Sequence, residues 1–247
     1  YAARDFGADH TFFSVGRMAI ADPATLKEVA KRGHTIGSHT WSHKKFTTVS
    51  AASATYEFEL GLSAVTKALG APVAPFFRYP YLAHTKASHT YLAGRGIGTF
   101  GIDVDSRDFR TRSPGTVLRN VMSQLEHEKK GILLFHDIQP STAGALASML
   151  AELKARGYKV VHMVAKTPAT TLPEYDAIAE KALKAKSSVA ASDPLATRAA
   201  TWPAAGDGDS ADPAAELAGP SSDAAPGATP RSAPRSARRT ARQTDGS

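Results

Sequence analysis

Two imidazoles four positions apart, in the run His39-Thr40-Trp41-Ser42-His43, are the side chains best spaced for chemistry in this 247-residue chain. On a helical turn, residues four apart project from one side, so both rings would reach a single ion. Neutral imidazole is the commonest protein metal ligand, and two rings with a carboxylate would leave a position open for water. The same spacing also occurs between unrelated surface histidines, and the pair alone leaves both readings standing. Three further groups combine reactive types: Phe76-Phe77-Arg78-Tyr79-Pro80-Tyr81, Asp103-Val104-Asp105-Ser106-Arg107-Asp108-Phe109 and Leu134-Phe135-His136-Asp137. His136 ends the most apolar run of the chain, which favours a cleft over a core position. Carboxylates on a neighbouring strand end would hold its tautomer and raise its pKa, as a general acid needs. Against this, Arg78 has an ordinary reading as an ion-pair member, and Asp103 and Asp105 as turn caps. His10, His34, His84, His89, His127 and His162 fit no pattern and receive no role.

The elements that must carry these groups alternate. Thr11–Val15 is strand-like; Asp22-Pro23 opens a helix that Gly33 ends, and Thr35-Ile36 carries a short strand into the histidine pair. Ser50–Leu69 reads as a long helix, Ala74–Phe77 as strand, Ala83–Ala93 as helix, and Ile97–Val104 as strand and turn. Ser113-Pro114 opens a helix to about Glu128, Gly131–Phe135 is a buried strand, and Thr142–Arg156 a helix. Tyr158–Val164 is expected as a last strand and Pro173–Lys186 as a last helix. Such alternation predicts an α/β fold of parallel βα units, whose reactive groups gather where strands end. The three groups named above fall at those ends.

Composition sets limits. There is no cysteine, which excludes disulfides, thiolate metal sites and a cysteine nucleophile. No apolar run approaches the ~20 residues of a membrane helix, and nothing near Tyr1 looks like a signal peptide. Residues 187–247 turn to Ala, Pro, Ser, Gly and Asp, a composition that cannot offset its ordering entropy, so a disordered tail is expected after a domain spanning 1–186. The domain carries 24 basic against 16 acidic residues and the tail 6 against 7, so the net +7 belongs to the domain. A mildly basic domain suits an anionic or neutral polymer, and no nucleic-acid partner is expected. Five arginines between Arg231 and Arg242 read as a solvated tail or an anionic-surface contact.

Taken together, His39-Thr40-x-x-His43, Arg78-x-Pro80-Tyr81, Asp105-x-x-Asp108-Phe109 and Leu134-x-His136, in this order and at helix-length separations, resemble the polysaccharide deacetylases. These are the NodB-homology carbohydrate esterases of family 4, and the resemblance covers about residues 1–165. It implies a deformed (β/α) barrel, one divalent ion, usually zinc, and removal of acetyl groups from N-acetylated sugars of a polysaccharide in the cell envelope or outside the cell. Residue by residue, it implies His39 and His43 as metal ligands, Arg78 orienting a catalytic base, and the Tyr81 backbone N–H as an oxyanion donor. It further implies Leu134 lining the acetyl pocket and His136 as general acid with Asp108 as its partner, Asp105 being the second choice. Phe109 stands where the family usually has tryptophan.

The family's first motif, Thr-Phe-Asp-Asp-Gly-Pro, is not found in the chain, and Gly206–Pro213 is a poor substitute. That motif supplies the base and the third ligand. The expectation is therefore a domain lacking its first strand, with Tyr1–Gly7 the end of an interrupted helix, and inactive as it stands. Alternatives are an O-acetyl esterase of the xylan type and a non-catalytic glycan- or metal-binding relative.

Overall fold

A computed structural model describes residues 9–192, all within one unit of the chain (Tyr1–Gly208), with side chains placed to Lys186. The expectations for Tyr1–Gly7 and for the tail beyond Ser192 lie outside the described residues. Six strands, parallel within each of two sheets, are separated by helices everywhere but between the fourth and fifth, and local signals explain most boundaries. Strand β1 (Thr11–Ser14) runs into a short helix α1 (Gly16–Ala21), which the sequence reading did not anticipate. Helix α2 (Pro23–Lys31) starts where the Asp22 carboxylate accepts the Thr25 N–H and proline fills the first turn. After β2 (Thr35–Ser38), α3 (Ala51–Leu69) is capped by Ser50 and stopped by Gly70 in the left-handed conformation. Strand β3 (Phe76–Phe77) is followed by α4 (Lys86–Gly94), which begins later than expected because Thr85 and Ser88 form a capping box.

The run 97–104 divides between two strands, β4 (Gly98–Thr99) and β5 (Val104–Asp105), that belong to different sheets. Helix α5 (Pro114–Glu128), strand β6 (Leu133–Leu134), helix α6 (Pro140–Ala155) and helix α7 (Pro173–Ser192) follow. Helix α7 thus runs past Lys186. One sheet has the order β1-β2-β3-β4, in register from Thr11 beside Thr35 to Ser14 beside Ser38; the other pairs β5 with β6. This is the parallel α/β architecture expected of a deformed barrel, with its ladder split in two.

Helices cover one side of each sheet. Ile36 and Phe77 pack with Phe58, Leu62 and Val65 of α3 and with Ala179 of α7. Val104 packs with Val117, Val121 and Leu125 of α5 and with Met149 and Leu153 of α6. Three further rings meet one another: Phe13 lies 5.8 Å from Phe100, and Phe76 4.9 Å from it. The expected last strand is a correction. Residues 158–164 join no ladder among the described residues, and Val161 is 77% exposed. Strand propensity acts only where a partner edge supplies hydrogen bonds; here the Tyr158 N–H is taken by Leu153 and the Met163 carbonyl by the Thr35 hydroxyl. No helix among the described residues is long and apolar enough to cross a membrane.

Candidate active site

His39 follows the last residue of β2, and its N–H donates to Ser14 at the end of β1 (2.9 Å). The segment from His39 to His43 is a loop, not the helical turn that the spacing suggested. Thr40 and His43 both adopt positive φ, 68° and 65°. Such left-handed residues cost on the order of 1–3 kcal/mol each and persist only where surroundings enforce them. The enforcement is visible. Gly16 and Arg17, opening α1, donate their N–H groups to the Thr40 and Trp41 carbonyls at 2.8 and 3.0 Å. The Trp41 N–H donates to the Glu57 carbonyl of α3 (2.7 Å), and the His43 N–H to the Thr40 hydroxyl (2.9 Å). The loop brings the two Nε2 atoms within 3.1 Å.

His39 donates its Nδ1–H to the Arg78 carbonyl at 2.6 Å, so its Nε2 carries the lone pair. Burial, with the nearby His43, pushes its pKa down to about 3 against the opposing pull of that carbonyl. The Arg78 guanidinium lies 4.6 Å over the Phe13 ring and reaches the Phe100 and Gly101 carbonyls at 3.4 and 3.3 Å. Burial lowers its pKa to about 10. Tyr81 sits on a 3₁₀ turn (Pro80–Leu82) with φ 56°, half exposed, its ring 4.9 Å from that of His43.

On the second sheet, Leu133 and Phe135 pack against the α5–α6 core, so by strand alternation Leu134 and His136 face the other way. Asp108 is fully buried on a 3₁₀ turn (Asp108–Arg110). It accepts the His136 Nδ1–H (2.7 Å), the His136 N–H (2.6 Å) and the Thr142 hydroxyl (2.6 Å). Burial opposes its ionisation, but the hydrogen bonds from His136 and Thr142 outweigh that and hold the carboxyl below its ordinary range. Asp105, the second choice for this partnership, instead accepts the Arg107 N–H (2.9 Å), as a turn cap does, whereas Asp103 accepts the N–H of Ile132, 29 positions away (2.6 Å), and so ties distant segments instead of capping a turn. Phe109, exposed, stands edge-on to His136 at 5.6 Å between ring centres.

The donor set suits part of a metal site. Two nitrogens on a tetrahedral ion at ~2.0–2.1 Å lie about 3.3 Å apart, close to the spacing seen here. Among the described residues no third His, Cys, Asp or Glu completes the group. Sequence motifs missed two contributors, Glu57 and Gly61 on α3. Their only signal was a carboxylate and a glycine within an apolar helical stretch.

Comparison with known proteins identifies the family. The family profile described as polysaccharide deacetylase matches residues 3–99. A peptidoglycan-N-acetylglucosamine deacetylase of Listeria monocytogenes is 31% identical over 154 residues, covering 61% of this chain and 31% of the relative. A solved peptidoglycan deacetylase of Bdellovibrio bacteriovorus is 36% identical with a TM-score of 0.62, over 68% of this chain and 47% of that one. A deacetylase solved with substrate is 30% identical with a TM-score of 0.57, over 65% of this chain and 78% of that one. The chain thus spans less than half the length of the first two. With the sheet, the loop histidines and the His136–Asp108 pair in place, the chain belongs to the polysaccharide deacetylase family.

Proposed function

We propose that this chain carries the site of a metal-dependent hydrolase that removes acetyl groups from N-acetylated sugars of a polysaccharide, peptidoglycan or chitin in type. The observation that carries the reading is the pair of Nε2 atoms 3.1 Å apart, in a chain that also holds a third imidazole against a buried carboxylate. His39 and His43 would hold one divalent ion, zinc by chemistry of the donors; when bound it supplies Lewis-acid polarisation of the acetyl carbonyl.

The chain's own residues account for the rest of the chemistry. Hydrolysis adds water across the acetamide C–N bond, giving acetate and an amine, and the nitrogen departs only when protonated. His136 suits that delivery: Asp108 occupies its Nδ1–H, leaving Nε2 to carry the mobile proton. The Tyr81 N–H, on its turn beside His43, is assigned to the developing oxyanion. Leu134 lines the acetyl pocket on the same strand face as His136. Tyr81 and Phe109, 50% and 46% exposed, offer ring faces to a sugar on either side. Deacetylation of a wall or matrix polymer places the protein in the envelope or outside the cell.

A second reading is a non-catalytic glycan- or metal-binding relative, in which the exposed rings of Tyr81 and Phe109 would serve binding alone. The test is acetate release from N-acetylglucosamine oligomers with zinc present, beside oligomer binding. Turnover that falls about 10²–10⁴-fold in His136→Ala supports the hydrolase. Binding without turnover supports the second reading, and release from acetylated xylan alone would make it an O-acetyl esterase.

A further inference from the structure

We propose that Glu57 and Gly61 of α3 are positioning residues that set the spacing of the His39–His43 pair; the inference rests on the reading above that this pair holds a divalent ion. Glu57 is 1% exposed, in the most buried stretch of the helix. A carboxylate there is costly unless its hydrogen bonds are met, and an apolar residue of similar volume would serve packing better. Among the described residues its side-chain partners lie in the histidine loop or just beyond it: the Ser42 N–H at 2.8 Å, the Ser42 hydroxyl at 2.7 Å and the Lys44 ammonium at 3.6 Å. Ser42 directly precedes His43. The carboxylate therefore fixes the residue from which the second imidazole departs.

Gly61, one turn further along, serves the same contact. A Cβ there would stand 2.3 Å from the Thr40 carbonyl carbon and 2.6 Å from the Trp41 nitrogen. Both are backbone atoms with no freedom to swing aside, so glycine is what allows the helix to close on the loop. The loop is thus held between α3 and the first residues of α1. Glu59 provides a matched contrast on the same helix. It is equally buried, but it bonds the Tyr91 hydroxyl (2.7 Å) and Arg95 (2.6 Å) and ties α3 to α4 instead.

The experiment compares Glu57→Ala, Glu57→Gln, Ser42→Ala and Glu59→Gln in the full chain. Two quantities are read: histidine ring ¹⁵N resonances of the metal-free protein at one fixed pH, and zinc affinity by competition with a chromophoric chelator. Glu57→Ala is expected to move the His39 and His43 resonances and to weaken zinc about 10–100-fold, as loss of outer-shell partners does. Glu57→Gln, which keeps one acceptor oxygen, should restore part of both, and Ser42→Ala should give a smaller change of the same kind. Glu59→Gln should lower the thermal midpoint and leave resonances and affinity in place. Unmoved His39 and His43 signals in the Glu57 variants would overturn the inference, as would equal movement in Glu59→Gln. If Glu57→Ala does not fold, Glu57→Gln and Ser42→Ala decide. Absence of zinc binding by the unaltered chain overturns the ion reading, while the ring resonances still decide the role of Glu57.

Discussion

Asp108 grips His136 twice, accepting the ring Nδ1–H with one oxygen at 2.7 Å and the backbone N–H with the other at 2.6 Å. One carboxylate therefore fixes both where the strand end lies and how the imidazole is turned.

Asp108→Asn tests that coupling through stability. Its folded-state pKa lies below the ordinary carboxylate value, so the folded chain binds fewer protons here than the unfolded one. The contribution is complete above about pH 4, near the unfolded value, and is lost as pH falls through the folded one. Urea midpoints should show the substitution costing about 1–3 kcal/mol at pH 7, with the gap to the unaltered chain narrowing in acid. A gap independent of pH would show that Asp108 does not titrate as argued.

Removal of single imidazoles separates ligand from acid. His39→Ala and His43→Ala should each abolish stoichiometric zinc uptake, measured on dialysed protein. His136→Ala should leave uptake unchanged, since the close Nε2 pair is made by His39 and His43 and His136 follows a strand of the other sheet. Zinc lost from all three alike would make His136 a ligand.

Gly61→Ala should destabilise the chain by about 1–3 kcal/mol or more, the usual penalty of forced overpacking. The added methyl meets the Thr40 backbone and cannot be relieved by a rotamer change. Gly70→Ala, at a helix end with no atom within 4 Å, tests positive φ alone and should cost less. Thermal midpoints of the two variants decide the order.

Arg95→Ala should cost about 3–5 kcal/mol by leaving the fully buried Glu59 carboxylate without its cation. Chemical denaturation measures this, and a cost below 1 kcal/mol would mean that Tyr91 alone satisfies Glu59.

What the sequence made legible were interactions between neighbours in the chain. The caps at Asp22, Ser50 and Ser113 each bond an N–H three residues on, and all three helix starts were readable. The motif residues meet in two groups, His39 and His43 with Arg78 and Tyr81 after the first sheet and Asp108 with His136 after the second, because each ends or follows a parallel strand. What was not legible depends on distant partners. Only the resemblance ranked Asp108 ahead of Asp105; the physical difference is that Asp105 is turned to its neighbour Arg107 while Asp108 lies under Thr142, 34 positions away. The histidine spacing suggested a helical turn because nothing local reveals that α1 and α3 press on Thr40. Residues 158–164 have every property of a strand except an edge to pair with.

That unpaired stretch governs how the protein meets a protease. Lys159 and Lys166 are exposed and flank backbone outside any ladder, so limited trypsin treatment should nick there before touching the helices. The two pieces would not part at once. Arg95 holds the Thr170 carbonyl at 2.8 Å, Ala169 donates to the Val73 carbonyl, and Lys67 of α3 pairs with Asp176 and Glu180 of α7. A cleaved chain that migrates as one particle on a sizing column, and as two bands after denaturation, is the form in which α7 acts as a non-covalent cofragment.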